Sequence, residues 1–165
     1  MTTTADYTDD EWQLLVDVPM MVGAAVMLIG KSGLGSMKES FAMAQETIAA
    51  VKDYPDNELI QAIMNARINE KKRSTIESMN NPFRGMKREE FLQAAKEKAE
   101  AAADLLSSKS TQEEARKYKE WTFYIGDKVA QAASEGGFLG IGGEQFSDEE
   151  RNALNELMNA IGLTK

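Results

Sequence analysis

The stretch TDDEWQLLVDVPMMVGAAVMLIG, residues 8–30, decides the fold class. It opens with a capping box, in which the Thr8 and Glu11 side chains each satisfy a backbone N–H group at the start of a helix. The segment that follows is apolar on nearly every side, which is typical of a helix enclosed by others in a bundle. We therefore predict a central helix over 9–29, kinked or split at Pro19 because proline removes a helical hydrogen-bond donor.

The same helix-start signal recurs at Ser36/Glu39, Ser110/Glu113 and Ser147/Glu150, and Asp56 after Pro55 is a further candidate N-cap. No segment alternates apolar and polar residues as a half-buried β-strand does. The sequence therefore predicts an all-α fold, a single helical domain over 1–165 that forms a bundle of about six helices. The expected helices are 9–29, 37–53, 57–69 with an extension to 79 left open, 86–107, 111–135 and 148–161, with Gly162 as the C′ residue of the last.

An internal repeat is a further hypothesis. Trp12 and Trp121 each follow a glutamate near the start of a predicted helix, and each helix leads to a glycine-rich loop and a capping serine. The spacing from tryptophan to serine is 24 residues in the first case and 26 in the second. This pattern predicts a pseudo-repeat of a helix–glycine loop–helix unit. Both tryptophans begin apolar helical rows, so we expect them to be buried in one shared core.

The composition excludes several classes of site. The chain contains neither histidine nor cysteine, so thiol nucleophiles, Ser-His triads and zinc sites built from His and Cys are impossible within it. Any metal site must use oxygen ligands, which favours calcium, magnesium or manganese. The net charge of −8 disfavours nucleic-acid binding, which needs cations to neutralise phosphates. With no catalytic constellation visible, we expect a protein that is not an enzyme.

The N-terminus has none of the features of a signal peptide, and we expect residues 1–7 to be flexible. The most apolar run, 18–30, has 13 residues, whereas a membrane-spanning helix needs about 20. We therefore expect a cytoplasmic protein with no membrane span.

The centre of the chain differs from the rest in charge. Residues 67–88 carry seven basic and two acidic side chains, a net charge of +5. Pro82 interrupts the helical pattern, so residues 70–86 are predicted to form a basic connecting loop. This loop is either a solvated connection or a docking surface for an unknown protein partner or a second copy of the chain. The candidate interaction residues are Lys71, Lys72, Arg73 and Arg84.

The stretch SEGGFLGIGGEQFSDEE, residues 134–150, is the second candidate site. Its three large apolar side chains either pack onto the helices or form a partner-binding tip; they are Phe138, Leu139 and Ile141. Its carboxylates also suggest a calcium or magnesium site, although acids in a first helical turn are favoured by the helix dipole alone. The candidate ligands are Glu135 and Glu144 together with Asp17 and Asp127. No other cofactor is expected.

This C-terminal helix–loop–helix, about residues 127–162, resembles the tellurite-resistance TerB-like family. Glu135 and Gly136 stand where that family has an acid beside a glycine, and Ser147 and Glu150 match its capped second helix. The long glycine-rich insertion departs from the family pattern. The resemblance implies an all-helical fold and an association with metal or stress responses. Two functions follow as expectations: a non-enzymatic cytoplasmic bundle that acts by binding, and a TerB-like module that binds a divalent cation.

Overall fold

A computed structural model describes residues 2–29, 53–73, 86–135 and 148–163, and every structural statement below concerns these residues. The described chain is all-helical, so the predicted fold class is confirmed. It contains five α-helices: α1 Asp9–Ile29, α2 Glu58–Arg73, α3 Arg88–Lys109, α4 Gln112–Glu135 and α5 Asp148–Ala160. The helix predicted over 37–53 lies almost entirely outside the described residues. The count of six helices and the pseudo-repeat therefore stay predictions.

Helix α1 is the central helix of the bundle, as its apolar surface predicts. It packs against each of the other four helices. Its fully buried side chains lie on more than one face, because neighbours surround the helix; they include Leu15, Val16, Val18, Val22, Ala25 and Val26. The helix is continuous across Pro19, so the proline does not split it.

Helices α3 and α4 each present one apolar stripe to the core. The buried stripe of α3 is formed mainly by small residues that permit close helix contact: Phe91, Ala95, Ala99, Ala102 and Leu106. On α4 the buried side chains include Tyr118, Trp121 and Ile125. Trp121 is 3% exposed, whereas Trp12 is only partly buried beside the Tyr7 ring. The expectation of two buried tryptophans is therefore correct for Trp121 and only partly correct for Trp12.

Gly126 lies where α4 passes close to α1 and α5. A Cβ atom at this position would lie 2.8 Å from Leu154 Cδ1 and 3.0 Å from Val22 Cγ1. Glycine is unfavourable inside a helix, so its presence here is explained by the lack of space for a side chain between α1, α4 and α5.

Residues 2–7, which we predicted to form a flexible terminus, lie against the bundle as an N-terminal strap. A 3₁₀ turn, Thr4–Asp6, is closed by a hydrogen bond of 2.7 Å from the Thr3 N–H group to the Asp6 carboxylate. Tyr7 is 7% exposed, and its hydroxyl lies 2.9 Å from Ser110 Oγ. The strap is held because Tyr7 joins the core, a contact that polar composition alone does not reveal.

The capping box at the start of α1 is confirmed. The Glu11 N–H group donates to Thr8 Oγ1 at 3.3 Å, and the Thr8 N–H group donates to the Glu11 carboxylate at 2.8 Å. The cap predicted at Asp56 is displaced by one residue, since Asn57 Oδ1 accepts from the Ile60 N–H group at 2.9 Å. Ser36 and Ser147 lie outside the described residues.

The cap predicted at Ser110/Glu113 is also displaced by one residue. Thr111 Oγ1 accepts from the Glu114 N–H group at 3.2 Å, so Thr111 is the N-cap of α4. Ser110 instead closes α3, its N–H group donating to the Leu106 carbonyl at 2.9 Å. The turn between α3 and α4 therefore spans only these two residues.

Candidate functional site

Pro19 creates the main polar centre inside the bundle. Because proline has no N–H group, the carbonyl of Leu15, four residues earlier, loses its helical donor. The Tyr118 hydroxyl donates to this carbonyl at 2.8 Å. Leu15 and Tyr118 are both fully buried, so this bond satisfies an acceptor that water does not reach.

Arg67 donates hydrogen bonds to the next carbonyl along α1, that of Val16. Its Nε and one terminal nitrogen lie 3.2 and 2.9 Å from the Val16 carbonyl oxygen, and the same terminal nitrogen lies 3.3 Å from Asp17 Oδ1. Asp17 also accepts from the Gln13 amide at 3.0 Å. The guanidinium thus joins α2 to α1 at the proline, and Asp17 has the satisfied partner that an acid in an apolar helix requires.

The polar groups around Pro19 have structural roles. Burial raises the pKa of the Tyr118 phenol far above its ordinary value. The phenol therefore stays protonated and acts as a hydrogen-bond donor rather than as a base. One turn later, the buried Thr122 hydroxyl interacts with the Tyr118 phenol, and this interaction opposes part of the rise in the Tyr118 pKa.

Two of the four candidate metal ligands have side chains that the structure describes, and these two lie on different helices. Asp17 lies on α1 and is paired with Arg67, whereas Asp127 is a partly buried residue of α4. The side chain of Glu135 and the whole of Glu144 lie outside the described residues. Among the residues described, no three carboxylates come together in a way that could hold a metal ion.

The candidate interaction residues are largely undescribed. Helix α2 extends through Arg73, so residues 70–73 are helical and are not part of the predicted connecting loop. The side chains of Lys71, Lys72 and Arg73 lie outside the described set, as do residues 74–85 with Arg84. The same holds for Phe138, Leu139 and Ile141 in the glycine-rich stretch.

A surface cleft of about 320 Å³ lies where the ends of three helices meet, and we call it the α3–α4 cleft. The ends are the last turn of α3, the first turns of α4 and the turn after α5. Gly162 allows the turn after α5, because its φ of 74° lies in the left-handed region that favours glycine, as predicted for a C′ residue. The Leu163 N–H group closes this turn on the Met158 carbonyl at 2.9 Å. The lining residues are Leu106, Ser107, Ser110, Gln112, Ala115, Arg116, Lys119, Gly162 and Leu163.

The α3–α4 cleft combines apolar lining residues with cationic and hydroxyl groups. Leu106, Ala115 and Leu163 supply the apolar part. Arg116 is paired with Glu113 and Glu120, at 2.7 and 2.6 Å. Lys119 makes no hydrogen bond or ion pair within the described residues. Its Nζ lies 3.1 Å from the position that a Cβ on Gly162 would occupy.

No family model, curated protein or solved structure matches this chain. The resemblance to the TerB-like family therefore remains a prediction.

A second cleft, of about 450 Å³, lies between α3 and α5 near the end of α1. Ile29, Leu92 and Ala153 supply its apolar lining. Its charged residues are of both signs, and Lys96 is already paired with Glu156 at 3.1 Å.

Within the described helices, none is long and apolar enough to cross a membrane.

Sequence reasoning did not identify the α3–α4 cleft. Its residues come from three separate elements, and none forms a motif along the chain. The only available signals were Gly162, which predicted the turn after α5, and the closely spaced cap residues between α3 and α4.

Proposed function

We propose that the protein is a non-enzymatic binding protein whose α3–α4 cleft holds a small amphipathic anion. The main evidence is that the Lys119 ammonium lines a partly apolar cleft and has no partner among the described residues. A cleft of about 320 Å³ lies in the size range of small-molecule sites. Such a site matches an acid that carries a short hydrocarbon chain.

Two features support binding rather than catalysis. The groups most suited to chemistry in the bundle, Tyr118 and Arg67, both donate to backbone carbonyls beside Pro19. In the α3–α4 cleft, the Ser107 hydroxyl donates to the Ala103 carbonyl at 2.8 Å. Its hydrogen is therefore bonded to the helix backbone and not to a general base that would activate it as a nucleophile.

The roles of the lining residues follow from their chemistry. Lys119 supplies the charge that selects an anion, whereas the Ser110 hydroxyl is already hydrogen-bonded to Tyr7. Leu106 and Leu163 contact the hydrocarbon part, whose burial contributes about 25 cal/mol for each Å² removed from water. A ligand with both parts should therefore bind more tightly than an inorganic anion or a neutral hydrocarbon.

Titration calorimetry tests this proposal with hexanoate, hexanol and hexylamine as probes. Hexanoate should bind more tightly than the other two. The Lys119→Gln variant should weaken hexanoate binding about tenfold, because a hydrogen bond to a charged group contributes about 1.5 kcal/mol.

Lys117→Gln is the matched control. Lys117 lies two residues earlier on α4, does not line the cleft, and makes a long contact of 3.5 Å with Glu113. Its variant should keep the affinity of the unmodified protein. Equal losses in the two variants, or equal binding of hexanol and hexanoate, would contradict the proposal.

A further inference from the structure

Glu114 is a buried carboxylate whose hydrogen bonds to described residues come from one backbone N–H group. It is 5% exposed, and its two oxygens lie 3.0 and 3.2 Å from the backbone nitrogen of Thr2. A backbone amide has one hydrogen, which the two oxygens must share, whereas an ionised carboxylate accepts about four hydrogen bonds. No lysine or arginine pairs with Glu114 in the part of the chain that the structure describes. A buried charge in this state is costly.

The N-terminal strap holds the Thr2 nitrogen in a fixed place. The Tyr7 hydroxyl donates to Thr2 Oγ1 at 3.2 Å and also contacts Ser110 Oγ. Lys109 Nζ donates to the Asp6 carbonyl at 3.0 Å and to the Glu11 carboxylate at 2.6 Å. The Lys109 ammonium therefore contacts the strap and α1, and it does not pair with Glu114.

We propose that the peptide bond before Thr2 is hydrolysed and that Glu114 then binds the new α-ammonium group of Thr2. A peptidase that cuts before a small residue would catalyse the step. Water supplies its hydroxyl group to the carbonyl carbon of the preceding residue and its other hydrogen to the Thr2 nitrogen, the C–N bond breaks, and the proton of the resulting acid also passes to that nitrogen. The products are a carboxylate on the released part and an ammonium on Thr2. The proposal concerns this one bond and makes no assumption about what precedes it.

The new ammonium fits the site better than the amide does. It carries three hydrogens, so each oxygen of Glu114 receives its own donor, and the resulting hydrogen bonds are charge-assisted and about twice as strong as neutral ones. Acetylation of the Thr2 amine would restore an amide and remove this gain. The strap therefore distinguishes a free N-terminus at Thr2 from a blocked one, independently of any ligand in the α3–α4 cleft.

Thermal unfolding of two forms of the chain tests the proposal. One begins at Thr2 with a free amine, and the other is the same chain with an Nα-acetyl group. The free form should melt about 2–4 °C higher. In the Glu114→Gln variant this difference should disappear, whereas in the matched Glu113→Gln variant, whose side chain is exposed, it should persist.

Intact-mass measurement supplies the second readout. The protein isolated from cells should begin at Thr2, with the residue before it removed. Retention of that residue would overturn the proposal, and so would equal melting temperatures of the free and acetylated forms. The second comparison uses the wild-type side chains and therefore does not depend on whether the Glu114 variant folds.

Discussion

Substitution of Tyr118 by phenylalanine tests the interpretation of Pro19. The change removes the side-chain donor of the Leu15 carbonyl, across an oxygen–oxygen distance of 2.8 Å. Both residues are fully buried, so water does not replace the lost donor. A buried acceptor left without a partner costs about 1–3 kcal/mol. The melting temperature should fall by about 2–4 °C for each kcal/mol in a chain of this length.

The Pro19→Ala background makes this test specific. Alanine restores an N–H group that bonds to the Leu15 carbonyl, so Tyr118→Phe should cost less there. We expect a coupling energy of about 1 kcal/mol or more from urea unfolding of the four proteins. Tyr124→Phe is the matched control, because the hydroxyl of this half-buried residue makes no hydrogen bond within the described residues. Its effect should stay within about 0.5 kcal/mol. Additive effects of the Tyr118 and Pro19 substitutions would refute the reasoning.

Three further predictions concern stability. Gly126→Ala should destabilise the bundle, because overpacking against Leu154 and Val22 costs about 1–3 kcal/mol and exceeds the gain of up to about 1 kcal/mol in helix propensity; a raised melting temperature would contradict this. Hydrogen bonds from the Lys109 ammonium and from the Thr8 N–H group lower the pKa of Glu11. The ionised Glu11 therefore stabilises the folded protein above the usual carboxyl pKa, and this stabilisation is lost as the pH falls through the lowered pKa. Glu11→Gln should remove the part of the pH dependence of stability that comes from this carboxylate, and an unchanged acid-unfolding profile would contradict a stabilising Lys109–Glu11 ion pair. Asp17→Asn should cost at most about 1 kcal/mol, equally with and without calcium, because Arg67 is its partner; a calcium-dependent loss would instead indicate a metal ligand.

The sequence was sufficient to predict the helices that the structure describes and the central place of α1. The apolar surface of α1 on all sides requires neighbours on all sides, and the Thr8/Glu11 capping box marks its start. Pro19 also signalled that a carbonyl within α1 would need a new donor. Which donor would supply it was not predictable, because Tyr118 lies 103 residues away from Leu15 along the chain.

The two-residue turn between α3 and α4 shows why one cap was assigned to the wrong residue. Ser110 and Thr111 are each followed three residues later by glutamate, so both fit the capping-box pattern. Contacts with the N-terminal strap distinguish them, since Tyr7 contacts Ser110 and Thr2 bonds to Glu114. These partners are more than 100 residues apart, and local sequence patterns carry no information about them.

The position of a bound anion tests the proposed function most directly. In a ¹⁵N–¹H NMR titration with hexanoate, binding in the α3–α4 cleft should shift the amide signals of Ser107, Ala115 and Leu163. In Lys119→Gln these shifts should require about tenfold more hexanoate, whereas in Lys117→Gln they should follow the unmodified protein. Shifts at Leu92 and Ala153 would place the ligand in the second cleft, and the absence of shifts at saturating hexanoate would contradict anion binding at Lys119.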